Sequence, residues 1–270
     1  MRGKLTGQRR LPVSVGVTVL TAAALLGPAT GASAGPAAHR GMLPPGNPAW
    51  SMKPGTSLLS SCSAGDNSST CNQLAVSAIG QARLTLEKMG GLSFSLPAYQ
   101  RLTPVQQLFV VVNLERTERG LAPATVLSKS LSKIAQAGAQ AGRDPEMGSV
   151  PRRLPGGGRT AYAGSTWSGG WINALGADYA WMYDDGPGGS NLACRTASSR
   201  LCWGHRDILL TSFGYASCHG QGELAVGTGH AGQAAGYAES DTVLMTGVCG
   251  PAPADAVFTW TKAEKLLGIR

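Results

Sequence analysis

The stretch CWGHRDILL, Cys202 to Leu210, sets one histidine between a glycine and an arginine, just ahead of an apolar run. An imidazole in such a place can exchange protons near neutral pH, hydrogen-bond a ligand, or bind a metal through a neutral ring nitrogen. The acids that could work with His205 are Asp184 and Asp185, adjacent in YDDG, and Glu223 in GELAVG. One such pair would make a general acid–base site, provided a substrate is oriented beside it. The competing role is a histidine that hydrogen-bonds backbone and orients the turn before a helix. His219 and His230, in CHGQGELAVGTGHA, would ligate a metal together only if strand ends brought them close, and are otherwise loop histidines. His39 reads as a solvated linker histidine. Ser165 lies in Gly164-Ser165-Thr166-Trp167, which lacks the second glycine of a nucleophile elbow. Trp167, Trp171 and Trp181 could line a sugar or lipid cleft, although aromatics at helical spacing usually serve as core. Asp184-Asp185, before Gly186-Pro187, could bind a cation or simply end a helix in solvent.

The chain that must position these groups reads as an exported one. A basic start, MRGKLTGQRR, precedes the apolar LPVSVGVTVLTAAALLG and the small-residue site GASAG, predicting a secretory signal over residues 1–34. Arg9-Arg10 followed by Leu11-Pro12-Val13 fits a twin-arginine signal only loosely, so general export is the simpler reading. No further apolar run reaches the roughly 18 residues needed to span a bilayer. The formal charge of +8 owes four of its units to Arg2, Lys4, Arg9 and Arg10, and the mild excess left over does not point to nucleic acid. Six cysteines, an even number and none in a CxxC pair, suit an oxidising compartment and argue against a structural zinc site or a catalytic thiol. Proximity pairs Cys62 with Cys71, Cys194 with Cys202, and Cys218 with Cys249.

Residues 35–57 are rich in Pro and Gly and predict a linker or loose arm. A helical extension follows over 58–100, where NQLAVSAIGQARLTLEKMGG carries Leu74, Ala75, Ala78, Ile79, Ala82, Leu86 and Met89 at helical spacing. Thr103 and Pro104 open the next helix as cap and first residue. Ser128 caps another, with Leu131, Ile134, Ala135 and Ala139 facing inward. Asp144 to Gly170 reads as loop, WINALGADYAWMYDDG as a helix, and GELAVGTG and DTVLMTGVCG as strands. Helices first and strands last predict an α+β domain over 101–250, with 251–270 as a tail.

Taken in order, VVNLERTERGLAP, LSKSLSKIAQAGAQAG, YAGSTW, ADYAWM, GHRDILL and GELAVGTG resemble the bacterial branch of the CAP superfamily, the SCP-like relatives of cysteine-rich secretory and pathogenesis-related-1 proteins. The resemblance runs from about Thr103 to Gly250. It implies an α–β–α sandwich with a central antiparallel sheet, stapled by disulfides and open on one side as a cleft. It also implies a divalent metal such as zinc, held by two histidines and two acids. Here His205 matches the second histidine. No histidine stands between Gly120 and Gly204 to match the first. Ser165 replaces the first acid, and Asp184 or Asp185 matches the second. The family's Arg-x-Asn-Ile-Leu continuation is also altered, since Arg206-Asp207-Ile208 lacks the asparagine.

With half of that set gone, the expectation is a non-catalytic extracellular or cell-wall-associated module without a metal. Its cleft, with Ser165, Trp167, Asp184 and His205, would bind a small apolar molecule (a lipid, for example), a glycan or a protein. The alternatives are a hydrolase built on His205 with Asp184 or Glu223, and a purely structural secreted protein.

Overall fold

The computed structural model describes residues 43–196, 199–213, 218 and 222–269. The expected signal segment, His39 and His219 lie outside them. Helix α1 spans Thr56–Ser61 and α2 Ser69–Ala82, with the Ser68 hydroxyl accepting the Cys71 N–H at 3.3 Å. The helix expected through Met89 continues from α2 as a π-helical turn, Arg83–Glu87, closed by Lys88 at φ 59°. Helix α3 spans Leu96–Tyr99 and α4 Pro104–Thr117. At the start of α4, Thr103 and Gln106 form a reciprocal capping box, which satisfies two orphan donors of the first turn. Strand β1, Ala124–Ser128, leads directly into α5, Lys129–Ala141, where Ser128 is the cap.

The segment expected as loop between Asp144 and Gly170 contains β2, Arg159–Gly169, an eleven-residue strand. Its small and glycine residues hide the alternation that reveals a strand in sequence. Helices α6, Ala174–Tyr183, and α7, Gly204–Leu210, follow. Strands β3, Gly222–Ala231, and β4, Ser240–Cys249, match the two that the sequence predicts. The last residues form β5, Ala256–Thr259, and α8, Trp260–Leu267, and they bury Phe258, Trp260, Ala263 and Leu267.

The sheet runs β2-β4-β3-β1-β5. All its pairings are antiparallel except β1 with β3, so the sheet is mixed and the α+β class holds. Alternate residues of β3 and β4 serve two cores, as a strand period of two requires. Leu224, Val226, Val243 and Met245 face α4, α6 and α8. Ala225, Leu244 and Val248 face α5 through Leu131 and Ala135. Helix α5 sits unusually close to β3. A Cβ on Gly227 would fall 2.1 Å from the Leu131 carbonyl carbon, and one on Gly229 would fall 2.5 Å from that of Ala135. The glycines of GELAVGTG therefore make room for helix backbone.

The disulfides join Cys62 to Cys71, Cys194 to Cys202 and Cys218 to Cys249. Among the described residues no helix is long and apolar enough to cross a membrane.

Candidate cleft around His205

Helix α6 ends at Tyr183, and the chain turns through Asp184, Asp185 and Gly186. The Pro/Gly-rich segment before α1 is tied to this turn. Gly186 N–H donates to Ser51 Oγ at 2.7 Å and Met52 N–H to Tyr183 O at 2.8 Å. A Cβ on Gly186 would lie 2.0 Å from the Trp203 ring, so only glycine lets that indole pack here. Trp203 adopts φ 62°, donates its N–H to Asp185 O at 3.2 Å, and launches α7.

His205 is thereby delivered to Asp185. Its backbone N–H donates to Asp185 Oδ2 at 2.9 Å and its ring Nδ1 lies 2.7 Å from Oδ1. Oδ1 also accepts Asn191 Nδ2 at 2.8 Å. An acceptor on that side fixes the proton on Nδ1. Nε2 has no hydrogen-bond partner among the described residues, and the ring is 30% exposed while Asp185 is 2% exposed. Burial works against charge on the imidazole, but the hydrogen bond and charge of Asp185, with the charge of Asp144, hold its pKa above the ordinary histidine value. Asp144 accepts the Trp167 backbone N–H; desolvation raises its pKa, and the nearby His205 opposes that rise.

The next residue anchors the helix. Arg206 is fully buried, donates Nη1 to Met182 O at 2.9 Å, pairs with Glu87, and lies 5.9 Å from the Trp203 ring centroid. Glu87 also pairs with Arg119. Glu115 takes Arg83 at 2.7 Å, Arg119, and the Tyr183 hydroxyl at 2.6 Å. Burial would neutralise Glu115, yet Arg119 and Arg83 together keep its pKa below the usual carboxylate value. Asp178 is buried without a hydrogen-bond partner for either oxygen, and burial together with the charge of Glu115 pushes its pKa far up.

The structure sorts the residues singled out in the sequence. Asp185, rather than Asp184, holds His205; the hydrogen bonds of Asp184 go to Ser190, and burial raises its pKa. Glu223, the second residue of β3, stands opposite Val248 and takes the Thr125 hydroxyl, so its carboxylate is not a partner of His205. Ser165 donates Oγ to Pro145 O at 2.9 Å. The Trp167 indole donates to Ser240 Oγ at 2.9 Å and meets Tyr237 edge-on at 5.0 Å. Only the backbone of Trp167 reaches toward His205, through Asp144. Asp144 carried no sequence signal, because it sits in a segment that reads as loop.

A second group lies at the other end of β3. His230 Nδ1 is 3.1 Å from Asp241 Oδ1 and 3.2 Å from Glu239 Oε1. The hydrogen bonds to Asp241 and Glu239 push the His230 pKa up to about 10, and burial pushes that of Asp241 up to about 6. Among the described residues this is the group with donors close enough together to hold a metal.

No known protein family, curated protein or solved structure matches the chain.

Proposed function

We propose that this chain is a secreted protein of the CAP-like type, and that the cleft around His205 binds an extracellular ligand without transforming it. The observation that carries the reading is the use of Asp185. Both of its oxygens are engaged, by the ring and backbone of His205 and by Asn191, so this carboxylate orients an imidazole and is not free to ligate a metal. Ser165, at the position where the resemblance expects an acid, gives its hydroxyl to Pro145 O. What remains for a ligand is Nε2 of a fixed ring, with the Asp144 carboxylate nearby. The three disulfides and the order of the matching segments along α4, α5, β2, α6, α7 and β3 also support it.

A second reading is a hydrolase. A carboxylate-oriented imidazole with a free Nε2 is the geometry of a general base. The experiment that separates them is an NMR titration of isotope-labelled protein with a soluble cell-wall glycan fragment, a long-chain fatty acid and a peptide library. The expected result is that one probe shifts signals at His205, Asp144 and Asp185, is recovered intact, and binds more weakly to His205→Ala. Turnover of a probe that is lost in His205→Ala would install the hydrolase, and no shift with any probe would leave a structural role.

A further inference from the structure

We propose that His230, Glu239 and Asp241 form a binding site for one zinc-class divalent cation at the end of the β3–β4 hairpin, beside a cavity of about 460 Å³. The site shares no side chain with the group around His205.

Its donors are held in place by backbone. His230 and Asp241 are directly opposed in the antiparallel register, so their side chains share one face of the sheet. The Gln136 side chain on α5 grips His230 on both sides, donating Nε2 to its carbonyl at 2.8 Å and accepting its N–H at 3.1 Å. Gly170 N–H fixes the Glu239 carbonyl at 2.8 Å.

The spacing suits an ion. One donor atom from each residue lies within 4.8 Å of the others, and Nδ1 is 3.1 and 3.2 Å from the two carboxylates. A tetrahedral ion with bonds of about 2.0–2.2 Å sets its donors roughly 3.3–3.6 Å apart. The two imidazole–carboxylate distances reach that range with shifts of only a few tenths of an ångström.

A second observation points the same way. Asp241 is 1% exposed, and its Oδ2 has no hydrogen-bond partner. A buried carboxylate oxygen left unpaired is costly, and a cation in this corner removes that cost. Two carboxylates against one imidazole also leave an excess of negative charge. On binding, Nδ1 releases its proton to solvent and takes the metal, so that two acids balance a divalent ion. The imidazole selects the ion class, because zinc and its neighbours accept nitrogen, whereas calcium and magnesium prefer an all-oxygen shell. Three protein ligands leave a fourth position open. The cavity, lined by Gly65, Asn67, Gln107 and Asn173 beside His230 and Glu239, is where water or a small ligand reaches it. The ion enters past His230, whose side chain is 25% exposed, while Glu239 is 5% exposed.

The test is calorimetric titration of the disulfide-bonded protein with zinc chloride, repeated with cobalt chloride and read by visible absorption. One equivalent of zinc and the intense absorption of four-coordinate cobalt are expected, with proton release that scales with buffer ionisation. Affinity should fall by roughly 100-fold or more in His230→Ala and Asp241→Asn and by about 10-fold or more in Glu239→Gln, while His205→Ala leaves it unchanged. Asp241→Asn keeps the side-chain shape, and its thermal melt reports whether it folds. The proposal is overturned if zinc does not bind at millimolar concentration, if binding survives in both His230→Ala and a folded Asp241→Asn, if it is lost in His205→Ala, or if calcium binds more tightly than zinc.

Discussion

Asp185 holds His205 twice, through the ring Nδ1 at 2.7 Å and through the backbone N–H at 2.9 Å. The first residues of α7 and the plane of the imidazole are therefore set by one carboxylate. Asp185→Asn should lower the His205 pKa, because burial then acts against charge with only Asp144 opposing it. Proton NMR titration of the ring measures this. The stability profile follows by linkage. His205 has a raised pKa in the folded state, so its contribution is complete below the unfolded value of about 6.5 and is lost as pH rises through the folded value. Wild-type protein should lose stability across that window, and Asp185→Asn should show a shallower slope. An unchanged slope would mean that the pair does not couple to folding.

Glu115 is fully buried and faces Arg83 and Arg119 at once. Removing its charge leaves two buried guanidinium groups with one carboxylate each, Glu118 on Arg83 and Glu87 on Arg119. Glu115→Gln should cost about 3–5 kcal/mol in urea unfolding, the range for breaking a buried pair by deleting one partner. A loss below about 1 kcal/mol would show that water or Glu118 and Glu87 replace it.

Gly227→Ala should destabilise by roughly 1–3 kcal/mol or more, since the added methyl meets the backbone of Leu131 rather than a movable side chain. Gly232→Ala, whose methyl meets nothing within 4 Å, is the control and should be close to neutral. Thermal melts of the two variants make the comparison. Equal melting points would mean that α5 shifts freely over β3.

The crosslinks should rank by the chain they close. Cys218–Cys249 spans 31 residues, Cys62–Cys71 spans 9, and Cys194–Cys202 spans 8. Loop-closure entropy assigns roughly 3.7 kcal/mol to the long loop and roughly 2.6 kcal/mol to each short one. Denaturation of the three double-serine variants tests the order. Only the Cys194–Cys202 variant should also move the His205 titration, because that crosslink ends three residues before it.

What the sequence reveals of all this depends on how local each feature is. Thr103-Pro104 and Ser128 mark helix starts because a cap and its recipient N–H lie within one turn. Strands β3 and β4 are visible as short, nearly continuous runs of apolar and small residues because both of their faces are buried. Strand β2 is not, because Gly164 and Gly169 occupy positions where a Cβ would strike Phe213 or the Trp167 ring, so small residues replace the apolar pattern. The His205 site is half legible. The histidine announces itself, but Asp184 and Asp185 differ only in direction around the end of α6, and that direction is set by Gly186 fitting under Trp203. Of the His230 group only the histidine stands out in the sequence; Glu239 and Asp241 carry no signal until the hairpin register puts Asp241 across from it.

Strand β1 sits near the middle of the folding problem. The Thr125 hydroxyl donates to the Leu224 carbonyl, 99 residues away, and that of Ser128 to Asp255, 127 residues away. Both neighbours of β1, β3 and β5, are thus made long after it, and α5 follows β1 at once without being able to cover its edges. During synthesis this strand waits with two rows of unpaired amides and an apolar face, the state in which chains stick to one another. Folding should therefore be slow for the size of the domain and should gain most from helpers that shield this strand until the C-terminal quarter has emerged.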